Sequence, residues 1–192
     1  MSKVKVGVQK FFYAKQLTAD AAPSTAATYD TPKAIAGLRS VGVDIEQSQN
    51  TLYADDSAFE TESGAPEITI SLELAQLPLE DQAALLGATY DSTNKILTSK
   101  STDSAPYVCV MFAGTMSDGG YRGVKVFKVK FGIPSDEYAT KEEDTEWQPQ
   151  TIEGKAVVLQ NDQRWRILQD FASTETTQLN AFFASVFPAS NP

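Results

Sequence analysis

The fold of this chain is decided by residues 106–134, PYVCVMFAGTMSDGGYRGVKVFKVKFGIP. Residues 107–113 are apolar at odd and even positions alike, which indicates a strand buried on both faces between two layers. Residues 118–120 (DGG) have turn chemistry, and 121–131 follow as the antiparallel partner strand. The alternation in that partner slips after Val126, which predicts a β-bulge. We therefore predict an antiparallel strand pair whose first strand is buried between two layers.

Alternation of apolar and polar residues predicts further strands on either side of this pair. The clearest is 67–76 (EITISLELAQ), in which every second side chain is Ile or Leu up to position 74. Its other side is polar, as expected where one face of a sheet meets water. The remaining predicted strands are 3–13, 34–49, 150–159 and 164–169. We expect about six to eight strands in total.

Two short helices complete the pattern. Pro78, the acidic residues after it and Gly87 predict a helix over 78–86. Apolar residues at helical spacing predict a second helix over 176–187, ended by a proline. The predicted fold class is mainly β: an antiparallel β-sandwich or barrel with one or two short flanking helices. The whole chain, 1–192, is expected to form one domain.

Two long segments lack the periodicity of helices and strands, and a tail follows the predicted C-terminal helix. Residues 18–33 are small, polar and contain proline, which predicts a long loop or arm. Residues 50–66 are acidic with isolated aromatics, too many for a tight hairpin turn, and predict a projecting acidic loop. Residues 176–192 form the predicted C-terminal helix and a tail. Loops of this length usually have a binding function, so we expect contacts with other molecules here.

The charges are segregated along the chain. Residues 40–87 contain ten carboxylates and neither Lys nor Arg, whereas residues 1–39 have a net charge of +4 and residues 88–132 of +3. The whole chain has a net charge of −9. A protein with one acidic and one basic surface suits head-to-tail self-assembly. The alternative is an acidic domain whose charges interleave once it folds.

The composition does not favour catalysis. The chain contains no histidine and a single cysteine, Cys109, which lies in the doubly apolar strand and is expected to be buried and inert. We therefore predict no enzyme activity and no cofactor. No apolar run has the ~20 residues that cross a membrane, so no membrane partner is expected. The acidic balance also disfavours tight binding to nucleic acid.

Two weaker interpretations concern ligands. Asp55 and Asp56, with Glu60 or Glu62, have the oxygen ligands of a divalent cation but lack the spacing of a calcium loop. Trp147 and Trp165 have the flat rings that form sugar-binding platforms, although tryptophan is more often used in packing.

Several stretches, in this order and spacing, resemble one known family. They are residues 52–56 (LYADD), the run 67–77 followed by Pro78 and 85–87 (LLG), residues 106–134, residues 150–156 (QTIEGKA) and residues 180–183 (NAFF). Together they are similar to the major tail protein, or tail-tube protein, of long-tailed bacteriophages that infect Gram-positive bacteria. The stretch 109–111 departs from this pattern, because smaller residues are expected there.

The resemblance implies a structural virion protein. Members form a β-sandwich with a flanking helix, assemble as hexameric rings, and stack these rings into the tail tube through which phage DNA is ejected. The implied partners are further copies of the chain, the tape measure protein, and the tail tip and tail terminator proteins, with DNA passing through without specific binding. The implied location is the phage tail of the virion, assembled in the host bacterial cytoplasm.

The charge pattern suggests which residues would act in such a tube. An acidic wall repels DNA, so the polar side of strand 67–76 and its expected neighbour are candidates for the lumen: Asp44, Glu46, Glu67 and Glu73. The acidic loop supplies candidates for contacts between subunits or rings: Tyr53, Asp55, Asp56, Phe59, Glu60 and Glu62. Three alternatives stay open: carboxylates facing outer solvent, a tail terminator or head–tail connector ring, and a carbohydrate-binding β-sandwich module.

Overall fold

The computed structural model describes residues 4–21, 25–54, 56–136, 140 and 148–187. The mainly-β prediction with short flanking helices is confirmed. The described elements are β1 (Lys5–Thr18), β2 (Thr28–Tyr29), β3 (Lys33–Ile35), β4 (Leu38–Glu46), β5 (Gln49–Ala54), β6 (Ser57–Ser63), β7 (Glu67–Leu74), α1 (Leu79–Leu86), β8 (Thr89–Asp91), β9 (Ile96–Thr98), β10 (Val108–Met116), β11 (Tyr121–Phe131), β12 (Gln150–Ala156), β13 (Arg166–Phe171) and α2 (Thr176–Ala184).

One large antiparallel sheet contains most of the strands. Its order is β2-β1-β10-β11-β12-β7-β4, with β13 also paired to β11 and β3 to β1. The hairpins β5–β6 and β8–β9 form two small separate sheets. The number of strands exceeds the predicted six to eight, because the predicted strand 34–49 divides at Gly37 (φ 93°) and the very short strands were not anticipated.

The predicted bulge lies in β11 and makes the sheet branch. Val110 pairs with Val126 and Val108 with Val129, so β11 has one extra residue, and Lys128 has a φ of 50°. Before the bulge β11 pairs with β13, and after it with β12. The strands β12, β7 and β4 thereby form a second layer that packs against the first.

The strand β10 is buried on both faces, as predicted, and most residues of β11 are buried as well. Val108 and Val110 belong to a hydrophobic cluster between the two strand layers, together with Ile70 and Leu72 of β7. Cys109 and Met111 point the other way, into a second cluster with Phe182 and Phe183 and other residues of α2. Burial raises the pKa of the Cys109 thiol, which agrees with an inert core residue.

Both predicted helices are present. The helix α1 ends at Leu86, and the left-handed φ of Gly87 (73°) and its N–H bond to the Ala83 carbonyl (2.8 Å) form the C-cap that the sequence predicts. The helix α2 begins at Thr176 but ends at Ala184, three residues before the predicted end. Neither described helix is long and apolar enough to cross a membrane.

A buried lysine holds the end of α2. Lys125 is fully buried, and its ammonium group donates to the carbonyls of Ser185 (2.7 Å) and Val186 (3.0 Å). It also lies 4.1 Å from the centre of the Phe182 ring. A cation is favourable where a helix leaves carbonyls unpaired. Burial nevertheless lowers the pKa of Lys125 to about 8.

Residues 18–33, predicted as a loop or arm, are attached to the body over their described part. The strand β2 pairs with β1, Ala27 is buried, and Asp20 forms a buried ion pair of 2.7 Å with Lys128. Burial opposes ionisation of Asp20, but hydrogen bonds from Lys128 and from the Gln160 N–H outweigh it and hold the pKa of Asp20 below its usual value. The predicted loop or arm therefore contains one short strand, β2, and is held to the body over its described residues.

This ion pair gives a test of the fold. Asp20→Asn leaves Lys128 buried without a counter-charge, so we expect the free energy of unfolding to fall by about 3–5 kcal/mol, measured by urea denaturation. The matched control is Glu67→Gln, which removes the carboxylate of an exposed pair with Lys155 and is expected to change the free energy of unfolding far less, because solvent screens an exposed ion pair. Equal losses in the two variants would contradict the role of the buried pair.

Candidate functional site

The second strand layer has one polar face. Along β7, side chains alternate between buried and solvent-facing positions. In the ladder, Asp44 of β4 lies opposite Thr69, and Thr69 lies opposite Lys155 of β12. Side chains in register lie on the same side of a sheet, so the solvent-facing residues of all three strands share one surface. We call the surface formed by the outward residues of β4, β7 and β12 the acidic face.

All four predicted lumen candidates lie on the acidic face. Asp44 and Glu46 are exposed on β4, and Glu46 lies directly opposite Glu67. Glu73 lies at the other end of β7, opposite Ser40. The expectation that the strand containing Asp44 and Glu46 neighbours β7 is confirmed.

Two of these carboxylates have cationic partners that the sequence did not reveal. Lys155 forms an ion pair with Glu67, and this hydrogen bond lowers the pKa of the Glu67 carboxyl below its usual value. Arg39 lies 3.0 Å from Glu73, which also accepts a hydrogen bond of 2.9 Å from the Ser40 hydroxyl. The alternation of β12 places Lys155 on the solvent-facing side of that strand. Its contact with Glu67, however, depends on the pairing of two strands that lie almost ninety residues apart in sequence.

The acidic face keeps a negative charge after this pairing. It carries five carboxylates (Asp44, Glu46, Glu67, Glu73 and Glu153) and two cations (Arg39 and Lys155), a net charge of −3. No ion pair joins Asp44, Glu46 or Glu153 to any cation that the structure describes. The unpaired charge is therefore concentrated on these three residues.

The predicted projecting loop 50–66 is a β-hairpin, so its description as a loop is wrong. The strands β5 and β6 pair from Gln49 opposite Ser63 to Ala54 opposite Ser57. Asp56, which directly precedes β6, has a φ of 58°. Asp tolerates this left-handed conformation better than most residues. We call this hairpin, Gln49 to Ser63, the acidic arm.

The acidic arm continues the hairpin of β4 and β7 outward. Its base is closed by the Gly64 N–H donating to the Ser48 carbonyl (2.8 Å) and by the Gln47 amide donating to the Gly64 carbonyl (3.0 Å). None of its described residues belongs to either hydrophobic cluster. At ~3.3 Å per residue, each strand of the arm is about 20 Å long. The arm is thus a polar extension that contributes little to the core.

Several predicted contact residues are exposed on the arm. Asp56, Glu60 and Glu62 face solvent, and no ion pair joins them to a described cation. Leu52, which was not a candidate, is 60% exposed and lies opposite Glu60. Asp55 and the side chains of Tyr53 and Phe59 lie outside the described part of the chain.

The ligand interpretations find little support in the geometry. Trp165 packs against the core between the layers, and the Arg166 guanidinium lies 4.3 Å from its ring centre, so this ring is not an open platform for a sugar. Trp147 lies outside the described residues. Among the residues that the structure describes, no three carboxylate or thiol groups come together as metal ligands.

No protein-family model matches this sequence, and a search of curated proteins also found no match. The acidic face and the acidic arm are therefore the features of this chain from which a function can be inferred.

The assignment of the two faces of β7 is testable with neighbouring residues. Ile70→Ala removes a fully buried side chain from the cluster between the layers, so we expect a loss of about 2–5 kcal/mol in the free energy of unfolding. Ser71→Ala changes the next residue, on the acidic face, and is expected to stay within about 0.5 kcal/mol of the parent. Chemical denaturation measures both. A larger loss for Ser71→Ala would reverse the assignment.

Proposed function

We propose that this protein is a structural virion protein that polymerises as stacked rings, forming a phage tail tube through which DNA passes. The observation that carries the proposal is the continuity of two acidic features. The strands β4 and β7 present the acidic face, and the same pair of chain segments extends outward as the acidic arm. One hairpin thus provides both a surface for the wall of a channel and an extension for contact between subunits.

The acidic face suits a channel for DNA. Double-stranded DNA carries one negative charge per ~1.7 Å of its axis, and a basic wall would bind it. A net charge of −3 on each copy of the face repels DNA instead. Repulsion is screened over ~8 Å at physiological ionic strength, so it acts on DNA close to the wall and lets DNA slide without specific binding.

The acidic arm suits a contact between copies. None of its described side chains belongs to the hydrophobic clusters of the chain. The arm nevertheless has an exposed leucine, Leu52, and three exposed carboxylates. The strand β4 ends the order of the large sheet, and its outer edge has no strand partner in the described part of the chain. Exposed edges of this kind are ready to pair with another chain.

The proposal includes the partners that such a tube requires. These are further copies of the chain, a tape measure protein, and tail tip and tail terminator proteins, in the tail of a virion. A tail terminator or head–tail connector differs by forming a single closed ring, which the first experiment distinguishes.

The test of the proposal is negative-stain electron microscopy of the concentrated protein, with its sedimentation profile. We expect hollow tubes of stacked rings, with a sedimentation coefficient that rises with protein concentration. Single rings that never stack would favour a terminator or connector. A monomer at every concentration, also after addition of preformed tail tips, would contradict the proposal.

The acidic face has its own test in assembled tubes. Asp44→Lys with Glu46→Lys reverses two of its unpaired charges, so we expect tubes of this variant to retain short double-stranded DNA and to protect it from nuclease. Tubes of the parent and of a control variant should retain none. The control, Asp30→Lys with Asp136→Lys, changes exposed carboxylates away from the acidic face. DNA that binds the reversed variant but is fully digested would place the acidic face on the outside.

A further inference from the structure

A groove lies between the two strand layers, where β4 passes over β1, β10, β11 and β13. Its volume is about 270 Å³. Both layers contribute apolar side chains to its walls: Val8, Val41, Val43, Phe112, Val124 and Leu168. Two glycines, Gly7 and Gly114, also line it. The groove has the size and polarity to take one or two apolar side chains.

Three cations surround this apolar groove: Lys5, Arg122 and Arg166. Arg122 is paired with Asp170 through two hydrogen bonds, of 2.6 and 2.8 Å. Arg166 is positioned over the Trp165 ring, and neither it nor Lys5 is paired with any carboxylate that the structure describes. The rim of the groove therefore has two positive charges, Lys5 and Arg166, that are available to bind an acidic partner.

We propose that this groove is the docking site for the acidic arm of a second copy of the chain. Leu52 enters the groove, and the carboxylates beside it meet Lys5 and Arg166. This inference rests on the proposed function, because it names the surface through which copies join.

One face of the arm matches the groove in both polarity and charge. Leu52 lies directly opposite Glu60, and Asn50 lies directly opposite Glu62. Residues two positions apart on a strand share a face, so an exposed leucine is flanked by two carboxylates. An apolar centre with a charged rim is the usual arrangement of a protein contact, and here the two signs are complementary.

The arm that fills a groove must come from another molecule. The arm of the same chain begins beyond the end of β4, and Leu52 follows the groove residue Val43 by nine residues, or about 30 Å of strand. Because the arm and the groove are different surfaces, the contact is heterologous and leaves a free arm and a free groove at each step. Such a contact propagates, as stacking requires.

Cysteine cross-linking tests the contact directly. Leu52→Cys and Leu168→Cys are made in separate proteins, one with a size tag, and the two are mixed, assembled and mildly oxidised. Both positions are exposed, whereas the native Cys109 is fully buried. On a non-reducing gel we expect a species containing one copy of each protein, and no dimer when either variant is oxidised alone.

Each other result overturns the inference in a recognisable way. Assembled protein without the mixed species would reject the groove and leave the proposed function intact. Dimers of Leu52→Cys alone would indicate contact between two arms, and dimers of Leu168→Cys alone contact between two grooves. If the unmodified protein never assembles, both the groove and the proposed function fail.

A charge swap provides an independent readout. Arg166→Glu is expected to raise the protein concentration needed for assembly about ten-fold, which is the effect of ~1.4 kcal/mol. Adding Glu60→Arg should restore assembly to within about three-fold of the parent, because the opposite charges are exchanged. Lys100→Glu, an exposed cation outside the groove, is the matched control and should leave assembly unchanged. Failure of the second change to rescue the first would reject the pairing.

Discussion

The bulge in β11 is the constraint on which the rest of the structure depends. The extra residue lets one edge of β11 pair first with β13 and then with β12, so a second layer begins where the first continues. It also turns Lys128 toward Asp20, which attaches the segment after β1, and places Phe127 in the cluster beneath α2. Without this branch there is no second layer, and hence neither an acidic face nor an interlayer groove.

The charge segregation of the sequence becomes a spatial arrangement through this second layer. Most of the acidic segment 40–87 folds as one long hairpin. The strands β4 and β7 at its base contribute to the acidic face, and β5 and β6 at its end form the acidic arm. Cations from elsewhere pair with Glu67 and Glu73 but leave Asp44, Glu46 and Glu153 without described ion pairs. The basic N-terminal strand contributes Lys5 to the groove, on a different part of the molecule. The surface thus presents separated acidic and basic regions, which is the arrangement that repeated head-to-tail contacts require.

Sequence reasoning succeeded where a local pattern determines the structure. The alternation in β7, the doubly apolar β10, the slip in β11 and the Gly87 cap are each visible within a few residues, and all are found in the fold. The acidic arm was missed because its sequence has isolated apolar residues without regular alternation, and no glycine lies between its strands. The pairing of Lys155 with Glu67 was missed because it depends on the register of strands distant in sequence. Leu52 was overlooked because an isolated leucine has no periodic signal, and its exposure is a property of the folded hairpin.

The proposed role of the acidic arm is contact with another copy of the chain. Hydrogen–deuterium exchange, compared between dilute monomer and assembled protein, tests it most directly. We expect amides of the arm to exchange rapidly in the monomer and to become strongly protected on assembly, whereas those of the doubly buried β10 are protected in both states. Exchange of the arm at the same rate in monomer and assembly would contradict it.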